Sequence, residues 1–115
     1  MLTQRPTLSD IEKARVRTKS IVKKTPILTS EYFNDLLGIE LFFKCENFQK
    51  TGSFKIRGAS NAVFSLTDDE AKQGVACQSS GNHGGAIACA AHLKGIHADI
   101  VTVSYTHLRA HETHL

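Results

Sequence analysis

The sequence predicts an α/β fold with parallel strands and flanking helices. Two short apolar runs of strand length, "VACQ" and "ADIVTV", are separated by an alanine-rich helical stretch. The loop that joins the first run to that helix is dense in glycine and serine. Helices placed between consecutive strands imply a parallel sheet with right-handed crossovers.

The elements follow in order. Ser9 and Glu12 fit an S-x-x-E capping box and predict a helix through about Val22, with Ile11, Ala14, Thr18 and Ile21 on its inner face. Pro26 breaks it by forcing Thr25 towards extended geometry. "SEYFNDLL" reads as a short helix, capped by Thr29 or Ser30 and stopped at Gly38. "IELFFKCE" alternates, with Ile39, Leu41, Phe43 and Cys45 on one face, and predicts a strand. After the turn "NFQKTG", "SFKIRGASNAVFSL" predicts a helix starting near Ser53, and "TDDEAKQG" a connecting helical turn. "VACQ" is a buried strand, "AIACAAHLK" a helix ended by Gly95, and "ADIVTV" a final strand.

Composition narrows the function classes. The 115 residues are 41% hydrophobic and carry a net charge of +3, from 14 basic and 11 acidic side chains. No apolar run approaches the roughly 18 residues of a membrane helix, so no membrane partner is expected. Arg15, Arg17, Lys19, Lys23 and Lys24 are spread around a helix rather than gathered on one stripe, so no nucleic-acid partner is expected either. Three cysteines, an odd number without a secretory signal, point to a reducing, cytoplasmic setting with Cys45, Cys77 and Cys89 as buried thiols.

Two stretches carry chemistry. In "KTGSFKIRGA", Lys55 falls in the first turn of a helix, where the positive dipole end favours anions and disfavours a cation. A neutral amine there can attack a carbonyl; the bland alternative is an exposed lysine. In "SSGNHGGA", two hydroxyls, three glycines and an amide surround a helix start, a nest of backbone donors for a carboxylate or phosphate. Its bland alternative is a glycine-rich capped turn. Neither stretch is a dinucleotide fingerprint or a phosphate loop.

Together, "ENFQKTGSFKIRGASNAV" and "SSGNHGGAIACAAHLKGI" resemble the serine racemase and threonine (serine) dehydratase family, pyridoxal-phosphate enzymes of the tryptophan-synthase-like (type II) fold. The resemblance runs from about Leu8 to Val101, and S-F-K-x-R-G distinguishes this branch from cysteine and threonine synthases. It implies that Lys55 holds pyridoxal phosphate covalently, that Phe54 lies beside the cofactor ring and that Asn82 bonds the ring hydroxyl. It implies that Ser80 faces the substrate Cα opposite the lysine, and that Ser79, Ser80, Asn82 and His83 receive the substrate carboxylate. The implied substrates are serine or threonine, with elimination to a 2-oxo acid and ammonia, racemisation, or both; a biosynthetic threonine dehydratase is the alternative within the class. A homo-oligomer is implied as well.

By the same resemblance, Ser30, Lys50 and Thr51 match nucleotide contacts, and ATP and a divalent metal such as magnesium are candidate effectors. The chain departs from the pattern at those places. Gly85 replaces a usual glutamine, Glu31 sets a carboxylate where phosphates would lie, and Cys77-Gln78 replace Thr-His. His92 and His97 read as surface residues and His83 as a loop-shaping one, so no metal ligand set is expected.

The expected organisation is residues 1–66 as the start of a large cofactor-binding domain, 74–102 as the start of a small one, and 103–115 as a non-native tail. "VSYTHLRAHET" matches, in one reading frame, the translation of a transposase-based sequencing adapter. His107, His111 and His114, spaced as on one helix face, are thereby removed from consideration as zinc ligands. Residues 8–101 are expected to be the N-terminal part of a two-domain type II enzyme. From a different class, a non-catalytic α/β fragment or module that takes anions at residues 79–86 is the remaining alternative.

Overall fold

A computed structural model of the chain describes residues 5–103, so the three histidines of the tail lie outside the described residues. Helix α1 (Leu8–Thr18) is capped by Thr7 rather than Ser9. The Asp10 amide donates to the Thr7 hydroxyl at 3.3 Å, and the Thr7 amide donates to the Asp10 carboxylate at 2.8 Å. Two capping boxes overlap in this sequence, and the upstream one prevails because it satisfies the end donors of a longer helix. The helix ends at Thr18, short of Val22, where the Thr18 carbonyl accepts from both Ile21 and Val22. The expected inner face holds only at this end: Thr18 and Ile21 are buried, Ala14 is half-buried, and Ile11 is exposed.

Strand β1 (Ile27–Leu28), helix α2 (Glu31–Leu37) and strand β2 (Phe43–Lys44) come next. Ser30 caps α2 by accepting from the Phe33 amide, and Gly38 closes it in the left-handed conformation, φ 66°. β1 and β2 pair antiparallel, Ile27 with Lys44 and Leu28 with Phe43. This corrects two expectations: the whole of "IELFFKCE" is not a strand, and not every pairing is parallel. The available partner is only two residues long, and alternation cannot create a ladder longer than its partner.

Two 3₁₀ turns, Glu46–Phe48 and Lys50–Gly52, lead into helix α3 (Lys55–Phe64). Helix α4 (Asp68–Gln73) follows, with a capping box between Thr67 and Glu70. Strand β3 (Val75–Gln78), helix α5 (Asn82–Lys94) and strand β4 (Ala98–Val101) complete the fold. β3 and β4 are parallel, in register from Val75–Ala98 to Gln78–Val101, with α5 between them as the sequence predicts.

The core joins Ile56, Ala59 and Val63 of α3 to Ala86, Ile87 and Ala90 of α5, with Ile21 beside them. Alanines on facing positions let the two helices approach closely and make burial of Ile56 and Val63 nearly complete. Segments 55–64 and 82–94, either side of the expected domain boundary, thus share one core. Cys45, Cys77 and Cys89 are half-buried rather than buried; Cys77 and Cys89 border this core instead of entering it. Tyr32, Phe33, Leu36, Leu37 and Phe42 form an exposed apolar surface around α2. No helix among the described residues is long and apolar enough to cross a membrane.

At its C-terminal end, α5 is tied to the end of α3. The Lys94 ammonium donates to the Leu66 carbonyl at 3.0 Å and sits 5.7 Å from the Phe64 ring centroid. α3 and α5 thus share one core and are tied together near their C-terminal ends.

Candidate active site

Lys55 is the first residue of α3, where the sequence places it. The preceding Ser53 is buried, and its hydroxyl accepts the Lys55 amide at 3.4 Å. Lys55 is exposed, and its ammonium lies 5.2 Å from the centroid of the Phe54 ring, itself exposed. Among the described residues, the amine has no carboxylate partner. A primary amine with an aromatic face beside it, at the positive end of a helix, is available for an aldehyde on an anionic ring.

The second stretch runs off the end of β3 into α5. Ser79 turns its hydroxyl inward, accepting the Gly84 amide at 2.9 Å and the Gly81 amide at 3.3 Å. That arrangement caps a helix whose own N-cap residue, Gly81, has no side chain to do so. Gly84 is buried, and a Cβ there would lie 3.0 Å from Ile100 Cγ2 and 3.1 Å from the Ser79 carbonyl oxygen. The missing side chain therefore lets the first turn of α5 seat against β4. Ser80, Asn82 and His83 are exposed, and their amide donors have no acceptor among the described residues. With the helix dipole behind them, donors of this kind favour an anion.

Around the first stretch lies a polar network that the sequence reading did not single out. The Glu46 carboxylate accepts from Arg57 Nε at 2.8 Å, Arg57 Nη2 at 2.7 Å and the Thr25 hydroxyl at 2.6 Å. The Arg57 guanidinium beside it holds the Glu46 carboxyl well below the usual range, at about 2, against the opposing effect of burial. Gln49, almost fully buried, accepts the Lys23 amide and donates to the Lys23 carbonyl, each at 2.8 Å. A signal existed: a glutamate and an arginine of opposite charge bracket the K-T-G turn and Lys55.

Of the remaining candidates, the Ser30 hydroxyl is engaged as the α2 cap, Lys50 is half-buried, and Thr51 is exposed with φ 66°. His92 and His97 are exposed, the latter 2.9 Å from the Asp99 carboxylate. Among the described residues, no three histidine, cysteine or carboxylate side chains gather to hold a metal ion. The donor set fits pyridoxal phosphate: an accessible amine for its aldehyde, an aromatic ring and an amide for its pyridine, and an unfilled carboxylate site for an amino acid.

Comparison with known proteins agrees with this chemistry. Residues 18–111 match the sequence model of the family described as "Pyridoxal-phosphate dependent enzyme", a match that runs past Val103 into the tail expected to be non-native. Over 96 residues the chain is 53% identical to a β-hydroxyaspartate dehydratase of Paracoccus denitrificans, covering 84% of this chain and 30% of that protein. It is 54% identical over 94 residues to a serine racemase of Oryza sativa, covering 82% of this chain and 28% of the relative. The solved structure of maize serine racemase superposes with a TM-score of 0.81 at 48% identity, over 83% of this chain and 30% of that one. The chain thus spans under a third of the length of the curated relatives it matches.

Proposed function

The chain belongs to the pyridoxal-phosphate dependent enzyme family, and from that premise we propose that the whole protein eliminates or racemises a β-hydroxy-α-amino acid. Serine and threonine are the substrates implied by the lysine and glycine-rich motifs, and the hydroxyaspartate dehydratase relative adds 3-hydroxyaspartate to the class. The observation that carries the reading is that an exposed lysine and a loop of unused amide donors stand at the starts of two helices that share one core.

Pyridoxal phosphate, when bound by these residues, would supply the electron sink for the pair left when the Cα–H bond breaks. Lys55 would hold the cofactor through Nζ and, once freed by substrate, would take the Cα proton as general base. Phe54 would lie beside the ring, and Asn82 would bond its hydroxyl. The amides of Ser80, Asn82 and His83 hold the substrate carboxylate, which fixes which bond at Cα is aligned for cleavage. Ser79 shapes that loop from within. Loss of the β-hydroxyl as water, followed by uptake of one water, leaves a 2-oxo acid and ammonia. Return of a proton from Ser80 Oγ on the opposite face gives the enantiomer instead.

In the full-length protein, Lys55→Ala should abolish release of ammonia and 2-oxo acid from serine and 3-hydroxyaspartate. A module that only takes anions would have no turnover to lose, and its anion affinity would be unchanged. Ser80→Ala separates the two outcomes, since racemisation should disappear while elimination persists.

A further inference from the structure

The helix that begins at Lys55 is held at its start by one long hydrogen bond, the Ser53 hydroxyl accepting the Lys55 amide at 3.4 Å. Its N-cap residue, Phe54, has no side-chain hydrogen bond to the first turn, and no acidic residue lies in that turn. Just upstream the backbone is strained, with Thr51 at φ 66° and Gly52 at φ 76° in consecutive left-handed conformations. For a β-branched residue such as Thr51 this conformation is unfavourable. A weakly capped helix preceded by a strained turn should fray, and fraying would carry the Lys55 amine with it.

What opposes fraying is the Glu46–Arg57 pair. Its two partners are eleven residues apart and bracket the whole segment from the first 3₁₀ turn to Lys55 and beyond. The contact is bidentate, which fixes orientation as well as distance. It is also anchored to the rest of the molecule. Thr25, 4% exposed, donates to the same carboxylate, and Arg57 Nη2 reaches the Lys23 carbonyl at 3.4 Å. Gln49, 3% exposed, sits inside the bracketed segment, bonds both polar groups of Lys23 and also accepts the Lys50 amide at 2.9 Å. The polar fixed points of the Lys55 segment therefore lead back to residues 23–25, alongside the packing of Ile56 in the core.

Resting on the cofactor reading above, we propose that Glu46 and Arg57 are positioning residues that hold the Lys55 amine at the place where it bonds the aldehyde of pyridoxal phosphate. They touch neither cofactor nor substrate, and act by closing the loop that delivers Lys55. The clamp should therefore matter for covalent attachment and little for noncovalent capture of the ring and phosphate.

The test compares two ligands on the full-length apoprotein. Pyridoxal phosphate can bond Lys55, whereas 4′-deoxypyridoxine phosphate lacks the aldehyde and can only bind noncovalently. Glu46→Gln, which keeps the shape of the side chain, is expected to weaken pyridoxal phosphate binding about tenfold or more and to leave the analogue within about twofold of wild type. Arg57→Met should behave alike, and Arg57→Lys should stay at least about fivefold weak, since an ammonium keeps the charge but not the fork. Equal weakening of both ligands, no weakening of either, or full rescue by Arg57→Lys would overturn the proposal. If Arg57→Met does not fold, Glu46→Gln carries the test. Failure of the cofactor reading itself looks different: the wild-type protein would then show no borohydride-trappable attachment at Lys55.

Discussion

Glu46→Gln also has a consequence for stability that can be worked out from the ion pair. The Glu46 carboxyl falls from 4.5 to about 2, and the bidentate contact with Arg57 is the leading cause. At ~1.36 kcal/mol per pKa unit, this corresponds to a ceiling of about 3 kcal/mol. Solvent screens part of it, because the Arg57 side chain is 40% exposed while that of Glu46 is 17% exposed. Hydrogen bonds to charged groups contribute about 1.5–3 kcal/mol each way of counting, so a value near 2 kcal/mol is expected at neutral pH. The sign is set by a depressed acid: the contribution is fully present above about 4.5 and is lost as pH falls through about 2. Urea unfolding of wild type and Glu46→Gln across pH 7 to 2 should therefore show a gap of about 2 kcal/mol that closes at the acid end. A gap that stays constant over that range would refute the account, because neutralising the wild-type carboxyl should make the two proteins equivalent.

Two further outcomes concern the loop at the start of α5. Gly84→Ala must push its new methyl into Ile100 and the Ser79 carbonyl, and should cost about 1–3 kcal/mol in unfolding experiments. Gly85→Ala one residue on meets open space and should instead stabilise α5 by about 0.5–1 kcal/mol. Ser79→Ala removes the acceptor for the Gly81 and Gly84 amides and should lower stability by about 1 kcal/mol. In steady-state kinetics it should also raise KM for the amino acid, because the donors for the carboxylate lose their frame.

Most of the local structure around the candidate site residues was legible in the sequence because it is set within a turn or two. Lys55 at a helix start, and glycines and serines between a strand and an alanine-rich helix, depend on residues within one turn of each other. The same holds for the stop at Gly38 and the β3–α5–β4 order. What escaped was set by distant partners. The Phe43–Lys44 strand is as short as β1 across from it, whatever the alternation of "IELFFKCE" suggests. The inward turn of Ser79 follows from the packing of Gly84 against Ile100, which no spacing announces. The Glu46–Arg57 clamp was overlooked for a related reason: each residue alone looks like a solvated charge, and only the fold closes the eleven-residue gap.

That clamp also bears on the choice between an enzyme and a passive anion module. An anion site needs helix N-termini and free amides, and the loop at residues 79–83 supplies both without help from α3. A module of that kind would gain nothing from a lysine fixed at the start of a second helix, where the dipole works against its charge. Nor would it need a buried glutamine, a bidentate ion pair and a strained threonine converging on the turn before that lysine. Such constraint makes sense when one atom must be held in one place while a bond forms to it. Under the proposed function that atom is the Nζ of Lys55, and the network around residues 23–25 is the frame that would hold its segment.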